Sequence, residues 1–152
     1  MSTLCKYSDA KDPKQFSKII GSNSLFQETL LRFKSSKKLS FYNPIIVTSE
    51  EFRFIVKEQS KEIYIKPKLI IIEPSGRNTG PALLAATLTQ CKENYQKFIM
   101  APSDHYITNI KKFHNDINSG INEAEEGNFV IFGVSPSRIE TGYGYLQVEN
   151  SK

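Results

Sequence analysis

Cysteine is scarce in this 152-residue chain, which holds two, Cys5 and Cys91, at a spacing that fits neither a metal site nor a redox pair. Both are expected to be free thiols. Long apolar runs are absent, so no segment is predicted to span a membrane. The opening Met1-Ser-Thr-Leu-Cys-Lys lacks the apolar centre of a secretion signal, and the expected location is the cytoplasm. There is no internal repeat, low-complexity tract or linker, and the length suits one domain with a real core. A net charge of +4 fits an anionic small ligand such as a nucleotide. The lysines form no stripe beyond Lys37-Lys38 and Lys111-Lys112, which argues against nucleic acid.

The chain otherwise alternates between two patterns. Residues 1 to 13 are polar and unpatterned, with no strand signal. Ser24-Leu-Phe-Gln27 is a capping box that predicts a helix to about Phe33, with Phe26, Leu30 and Phe33 on one face. Asn43 to Thr48 reads as a strand. Thr48-Ser-Glu-Glu51 reads as a second capping box opening a helix to about Ser60, with Phe52, Ile55 and Val56 inward. Leu69 to Ile72 reads as a buried strand, 81–93 as a buried Ala- and Leu-rich helix, and Lys97 to Ala101 as a further strand. A helix from about Asn109 to Glu126 carries Phe113, Ile117, Ile121 and Ala124 on one stripe, and Phe129 to Phe132 reads as the last strand. Strands alternating with helices predict an α/β fold with a mostly parallel sheet covered on both faces.

The most informative stretch joins the strand at 69–72 to the helix at 81–93. It holds Glu73, Gly76, Arg77, Asn78 and Thr79, with Pro81 suited to the first helical position and Thr79 or Gly80 to the cap. Such a loop lies at the carboxyl edge of a parallel sheet, where open α/β proteins bind ligands. The helix N–H groups there favour an anion, Arg77 adds a cationic fork, Gly76 permits close approach, and Glu73 can accept from a base or sugar. Taken alone, the loop is better explained as a turn made by Gly76 and Pro81 with a solvated Arg77. Lys14, after Pro13, would suit a phosphate. Asp104 directly follows a strand and offers a hard oxygen to Mg2+, though a turn-capping aspartate is common in Pro-Ser-Asp. Glu140-Thr141-Gly142-Tyr143-Gly144-Tyr145 either lines a polar ligand or forms a packed glycine turn.

Four of these motifs, in this order, resemble those of the mannose-1-phosphate guanylyltransferases: Pro13-Lys14-Gln15-Phe16, Glu73-Pro-Ser-Gly76-Arg77-Asn78-Thr79-Gly-Pro-Ala82, Pro102-Ser-Asp104-His105, and Phe132-Gly133 through Glu140 to Tyr145. The resemblance covers residues 13–146. It implies a Rossmann-like nucleotidyltransferase domain and transfer of a guanylyl group from GTP to mannose 1-phosphate with Mg2+. It gives Lys14 and Asp104 catalytic roles, with Asp104 holding the metal. Glu73, Gly76, Arg77, Asn78 and Thr79 would bind the nucleotide, and Glu140, Thr141, Gly142, Tyr143 and Gly144 the sugar phosphate. Ser103, Gly80 and Ile139 depart from the usual Ala, Ala and Pro without removing a functional group.

The larger departure is at the ends. The family's glycine-rich phosphate loop has no counterpart before Pro13, its first strand is expected to be missing from the middle of the sheet, and its C-terminal part is expected to be absent. Three outcomes are compatible with that. The chain is weakly active or inactive alone, it is completed by a polypeptide supplying the missing segments, or it is a non-catalytic nucleotide-binding remnant.

Overall fold

A computed structural model describes residues 2–6, 13–36, 39–74, 79–90, 97–139, 141–142 and 144–147. Four strands, β1 (Ser2–Lys6), β2 (Ile45–Ser49), β3 (Leu69–Glu73) and β4 (Phe98–Pro102), form one sheet in the order β3-β2-β1-β4. Every pairing is parallel, with Leu4 level with Ile45 and Met100, and Ser49 level with Glu73. The α/β reading therefore holds, but the expected hole in the sheet does not exist. Residues 2–6, polar and patternless as they are, form a strand at its centre. Two neighbouring ladders satisfy its backbone, which suffices without a sequence pattern of its own.

Four helices cover the sheet: α1 (Leu25–Arg32), α2 (Arg53–Glu62), α3 (Thr79–Leu88) and α4 (Ile110–Glu125). The α1 helix begins as predicted, with Gln27 N–H donating to Ser24 Oγ at 3.1 Å and Ser24 N–H donating to Gln27 Oε1 at 3.0 Å. Its apolar side joins Phe26 and Leu30 to Phe16, Ile46 and Val56, with Phe52 and Ile55 packed on this core. The opposite face of β2, Ile45 and Val47, meets Ala82 and Ala86 of α3. Alternation along a strand puts Ile46 and Ala101 on one face and Ile45 and Met100 on the other. Ile99 and Ala101 meet Ile117 of α4 and Phe33 at the end of α1. So α1, α2 and α4 lie on one face and α3 on the other. Right-handed crossovers require this of α3, because β3 to β4 runs back across the sheet, against the direction of β1 to β2 to β3.

Five further expectations are corrected. The Thr48 capping box does not form, because Thr48 lies inside β2 and a 3-10 turn, Glu50–Phe52, precedes α2. The β3 strand is half-buried rather than buried, since it is an edge. Helix α3 starts at Thr79, so Thr79 and Gly80 are its first residues rather than caps and Pro81 is its third. Only one stripe of α3 is buried, and Leu84 and Leu88 are about 60% exposed. Finally, Phe129–Phe132 is not a strand. Val130 and Phe132 lie over Gly120 of α4, while Phe129 and Ile131 face solvent, and no strand edge pairs with them among the described residues.

Candidate functional site

In a parallel sheet all strands end at one edge, and here that edge carries Lys6, Ser49, Glu73 and Pro102. Chain order reverses between β1 and β4, the position at which open α/β sheets leave a crevice for ligands. Three of the predicted groups are placed directly by these strand ends. Glu73 is the half-buried last residue of β3. Thr79 is the exposed first residue of α3, whose amino-terminal N–H groups, which have no partner within the helix, face the same edge. Asp104 lies two residues past β4, in a turn that begins at buried Ser103.

Lys14 is brought to the edge by its neighbour. It opens a 3-10 turn, Lys14–Phe16, in which Phe16 N–H donates to Pro13 carbonyl at 2.9 Å. The Phe16 ring is buried against Phe26 and Phe52, with centroids 5.4 and 5.6 Å away, and Phe52 belongs to the turn that immediately follows β2. Gln59 Nε2 donates to Phe16 carbonyl at 2.9 Å and fixes the turn from below. Lys14 is left exposed on this rigid base.

Glu73 ends one outermost strand and Asp104 follows the end of the other, and those strand ends are three interstrand spacings apart, about 14 Å. That separation suits the two ends of one extended polar ligand better than a single reacting pair. The Asp104 carboxylate has no hydrogen-bond partner among the described residues, and His105 Nε2 stands 4.0 Å away, too far for a hydrogen bond. No group of three or more His, Cys, Asp or Glu forms a ready cation cage among the described residues. One exposed carboxylate does fit Mg2+, which typically takes one or two carboxylates and completes its shell with phosphate and water oxygens.

The remaining predicted residues divide in two. Thr141, Gly142 and Gly144 are exposed and join no strand of the sheet among the described residues. Gly76, Arg77, Asn78, Glu140 and Tyr143 lie outside the described residues, as does Cys91. A cavity of about 190 Å³ lined by Phe33, Tyr42, Pro44 and Ile65 opens at the amino-terminal end of β2, the opposite end from the edge that carries Glu73 and Asp104. One contact had no signal in the sequence. Arg32, buried in the last turn of α1, donates to the carbonyl of His105 at 2.5 Å. The two residues are 73 apart, and nothing in the local pattern around either marks the pair.

Residues 5–152 match the family described as Nucleotidyl transferase. The chain is 43% identical over 138 residues to a mannose-1-phosphate guanylyltransferase of Escherichia coli, covering 89% of this chain and 29% of that protein. It is 37% identical over 150 residues to the alginate biosynthesis protein AlgA of Pseudomonas aeruginosa, covering 96% of this chain and 30% of that one. The chain thus spans under a third of the length of these relatives. A crystal structure described as mannose-6-phosphate isomerase from Helicobacter pylori superposes with a TM-score of 0.74 at 27% identity, covering 92% of this chain and 52% of that one. No helix among the described residues is long and apolar enough to cross a membrane.

Proposed function

The chain belongs to the nucleotidyl transferase family, and from that premise we propose that it forms the nucleotide-binding part of a cytoplasmic enzyme that makes GDP-mannose from GTP and mannose 1-phosphate. The observation that carries this reading is the gathering of Lys14, Glu73, Thr79 and Asp104 on one carboxyl edge across the reversal of strand order. A base or sugar donates to Glu73, phosphates lie over the start of α3 toward Lys14, and Asp104 holds a nucleotide-borne Mg2+. Bound there, Mg2+ would neutralise charge on the phosphates.

In the reaction, a phosphate oxygen of mannose 1-phosphate bonds to the α-phosphorus of GTP. The bond from that phosphorus to the bridging oxygen breaks, and its electron pair leaves with pyrophosphate. The chain's own contribution is position and charge: Lys14 on its anchored turn and the α3 amides stand at the edge where the phosphates bind, and Arg77 is assigned to them by its motif. Gly76, Asn78 and Thr79 complete the nucleotide loop, and Glu140, Thr141, Gly142, Tyr143 and Gly144 bind the sugar phosphate.

A second reading is nucleotide binding without turnover. It is favoured by the exposed position of Thr141, Gly142 and Gly144, which pair with no strand of the sheet among the described residues. A polypeptide carrying the family's remaining segments would complete the sugar-phosphate half. The deciding experiment is a thermal melt of the chain with and without Mg2+ and GTP, followed by a pyrophosphate-release assay with mannose 1-phosphate. A melting temperature raised by Mg2+ and GTP, with release of pyrophosphate, supports transfer. A rise without release supports the binding module, and no rise removes both.

A further inference from the structure

We infer that Arg32 is a positioning residue for Asp104, setting the metal carboxylate through the backbone of His105; this rests on the metal role proposed above for Asp104. Asp104 has no side-chain hydrogen bond of its own among the described residues and is exposed, so its aim depends on how the 103–106 backbone is held. Arg32 supplies that hold. Arg32 is 3% exposed, and its guanidinium donates from Nη2 to His105 carbonyl at 2.5 Å and to Thr29 Oγ1 at 3.2 Å and lies 5.6 Å from the centre of the Phe113 ring.

The arrangement is braced from the other side. His114 Nε2 is 2.8 Å from the carbonyl of Arg32, and because a carbonyl only accepts, that nitrogen carries the hydrogen. The ends of α1, the start of α4 and the turn after β4 are thereby tied at one point. Burying a guanidinium is costly, and an apolar side chain of similar volume commonly packs as well or better. A cation at the last turn of α1 gains a little from the helix dipole, which does not account for a long side chain reaching a peptide 73 residues away. What it does achieve is a fixed, charge-assisted bond to the peptide next to the carboxylate.

The test is a double-mutant cycle read as GTP affinity with Mn2+ and with EDTA, on the wild-type chain, Arg32→Lys, Asp104→Asn and the double variant. Arg32→Lys keeps the charge and loses the planar fork. It is expected to lower the Mn2+-dependent gain in GTP affinity about tenfold, as loss of supporting partners does at metal sites. The same variant should leave affinity in EDTA unchanged and have no further effect beside Asp104→Asn. Equal losses with and without Mn2+, additive losses, or no loss would overturn the inference. Should Arg32→Lys not fold, Phe113→Leu removes the ring under the guanidinium and is expected to cost roughly two- to fivefold in the Mn2+-dependent part alone; no such loss counts against the inference. If the wild-type chain shows no Mn2+-dependent gain, the Asp104 reading itself fails before any variant is compared, and this inference falls with it.

Discussion

Lys6 and Pro102 are register partners, the last residues of adjacent parallel strands at the carboxyl edge of the sheet. Because β1 and β4 flank the reversal of strand order, this pair marks the floor of the candidate crevice, with the Lys14 turn following one strand and Asp104 the other. The site therefore depends on a strand of which the sequence gives no sign. If β1 did not form, β2 and β4 would lose their shared neighbour and the two loops would have no common frame.

Leu4→Pro tests this directly. Proline removes a ladder N–H and is tolerated in sheets essentially only at edges and bulges, whereas Leu4 is level with Ile45 on one side and Met100 on the other. The expected outcome is loss of a cooperative thermal transition by circular dichroism. A cooperative melt within a few degrees of wild type would show that β1 is dispensable.

Gln59 is the hub of a buried polar cluster. Its Oε1 accepts from Ser24 Oγ at 2.6 Å, its Nε2 donates to Phe16 carbonyl at 2.9 Å, and its carbonyl accepts from Gln27 Nε2 at 3.1 Å. Gln59→Leu removes the acceptor of the buried Ser24 hydroxyl and a donor to the buried Phe16 carbonyl, each bond worth about 1–3 kcal/mol where the group is buried. Urea denaturation should show a destabilisation of about 2 kcal/mol or more. It should also free the turn that carries Lys14, so that GTP affinity falls with stability.

What was legible in the sequence was local. The Ser24–Gln27 box needs only four consecutive residues, and it forms as read. The stripe of Phe113, Ile117 and Ile121 needs only helical spacing, and it packs as read. Strand identity is different, because a strand is stabilised by neighbours distant in sequence. Ser2–Lys6 has little strand signal and forms one between two ladders, while Phe129–Phe132 has strong strand propensity and no edge to join among the described residues. The Thr48 box failed because sheet membership of Thr48 outweighs a capping bond. In the site, the places of Glu73 and Asp104 were legible from the apolar strands before them, and Lys14 only as part of Pro13-Lys14-Gln15-Phe16. The hold of Arg32 on His105 crosses 73 residues and was not.

Gly120 lies inside α4, where an ideal Cβ would stand 3.0 Å from Val130 Cγ1 and 3.1 Å from Phe132 Cζ. Alanine there gains roughly 0.5–1 kcal/mol of helix stability and must push those two side chains aside. They belong to a mostly exposed segment outside the sheet, so the cost is small. Gly120→Ala should leave stability within about 1 kcal/mol of wild type while shifting the NMR signals of Val130 and Phe132. A larger loss would mean that 130–132 is held rigidly on α4.

Glu73 decides whether the crevice reads a base. A carboxylate at the end of β3 accepts two parallel N–H bonds, such as those on the amide edge and exocyclic amine of guanine, whereas glutamine offers one acceptor and a donor that opposes the second. Hydrogen bonds to a charged group contribute about 1.5–3 kcal/mol, so Glu73→Gln should weaken GTP binding roughly ten- to a hundredfold if the base is the partner. Inosine triphosphate, lacking the exocyclic amine, should already bind the wild-type chain more weakly and lose less on substitution. Titration of both nucleotides into both chains measures the difference. If both lose equally, Glu73 contacts the ribose, whose hydroxyls the two nucleotides share. If neither loses affinity, the nucleotide does not reach the end of β3, and the placement of its base toward that edge is wrong.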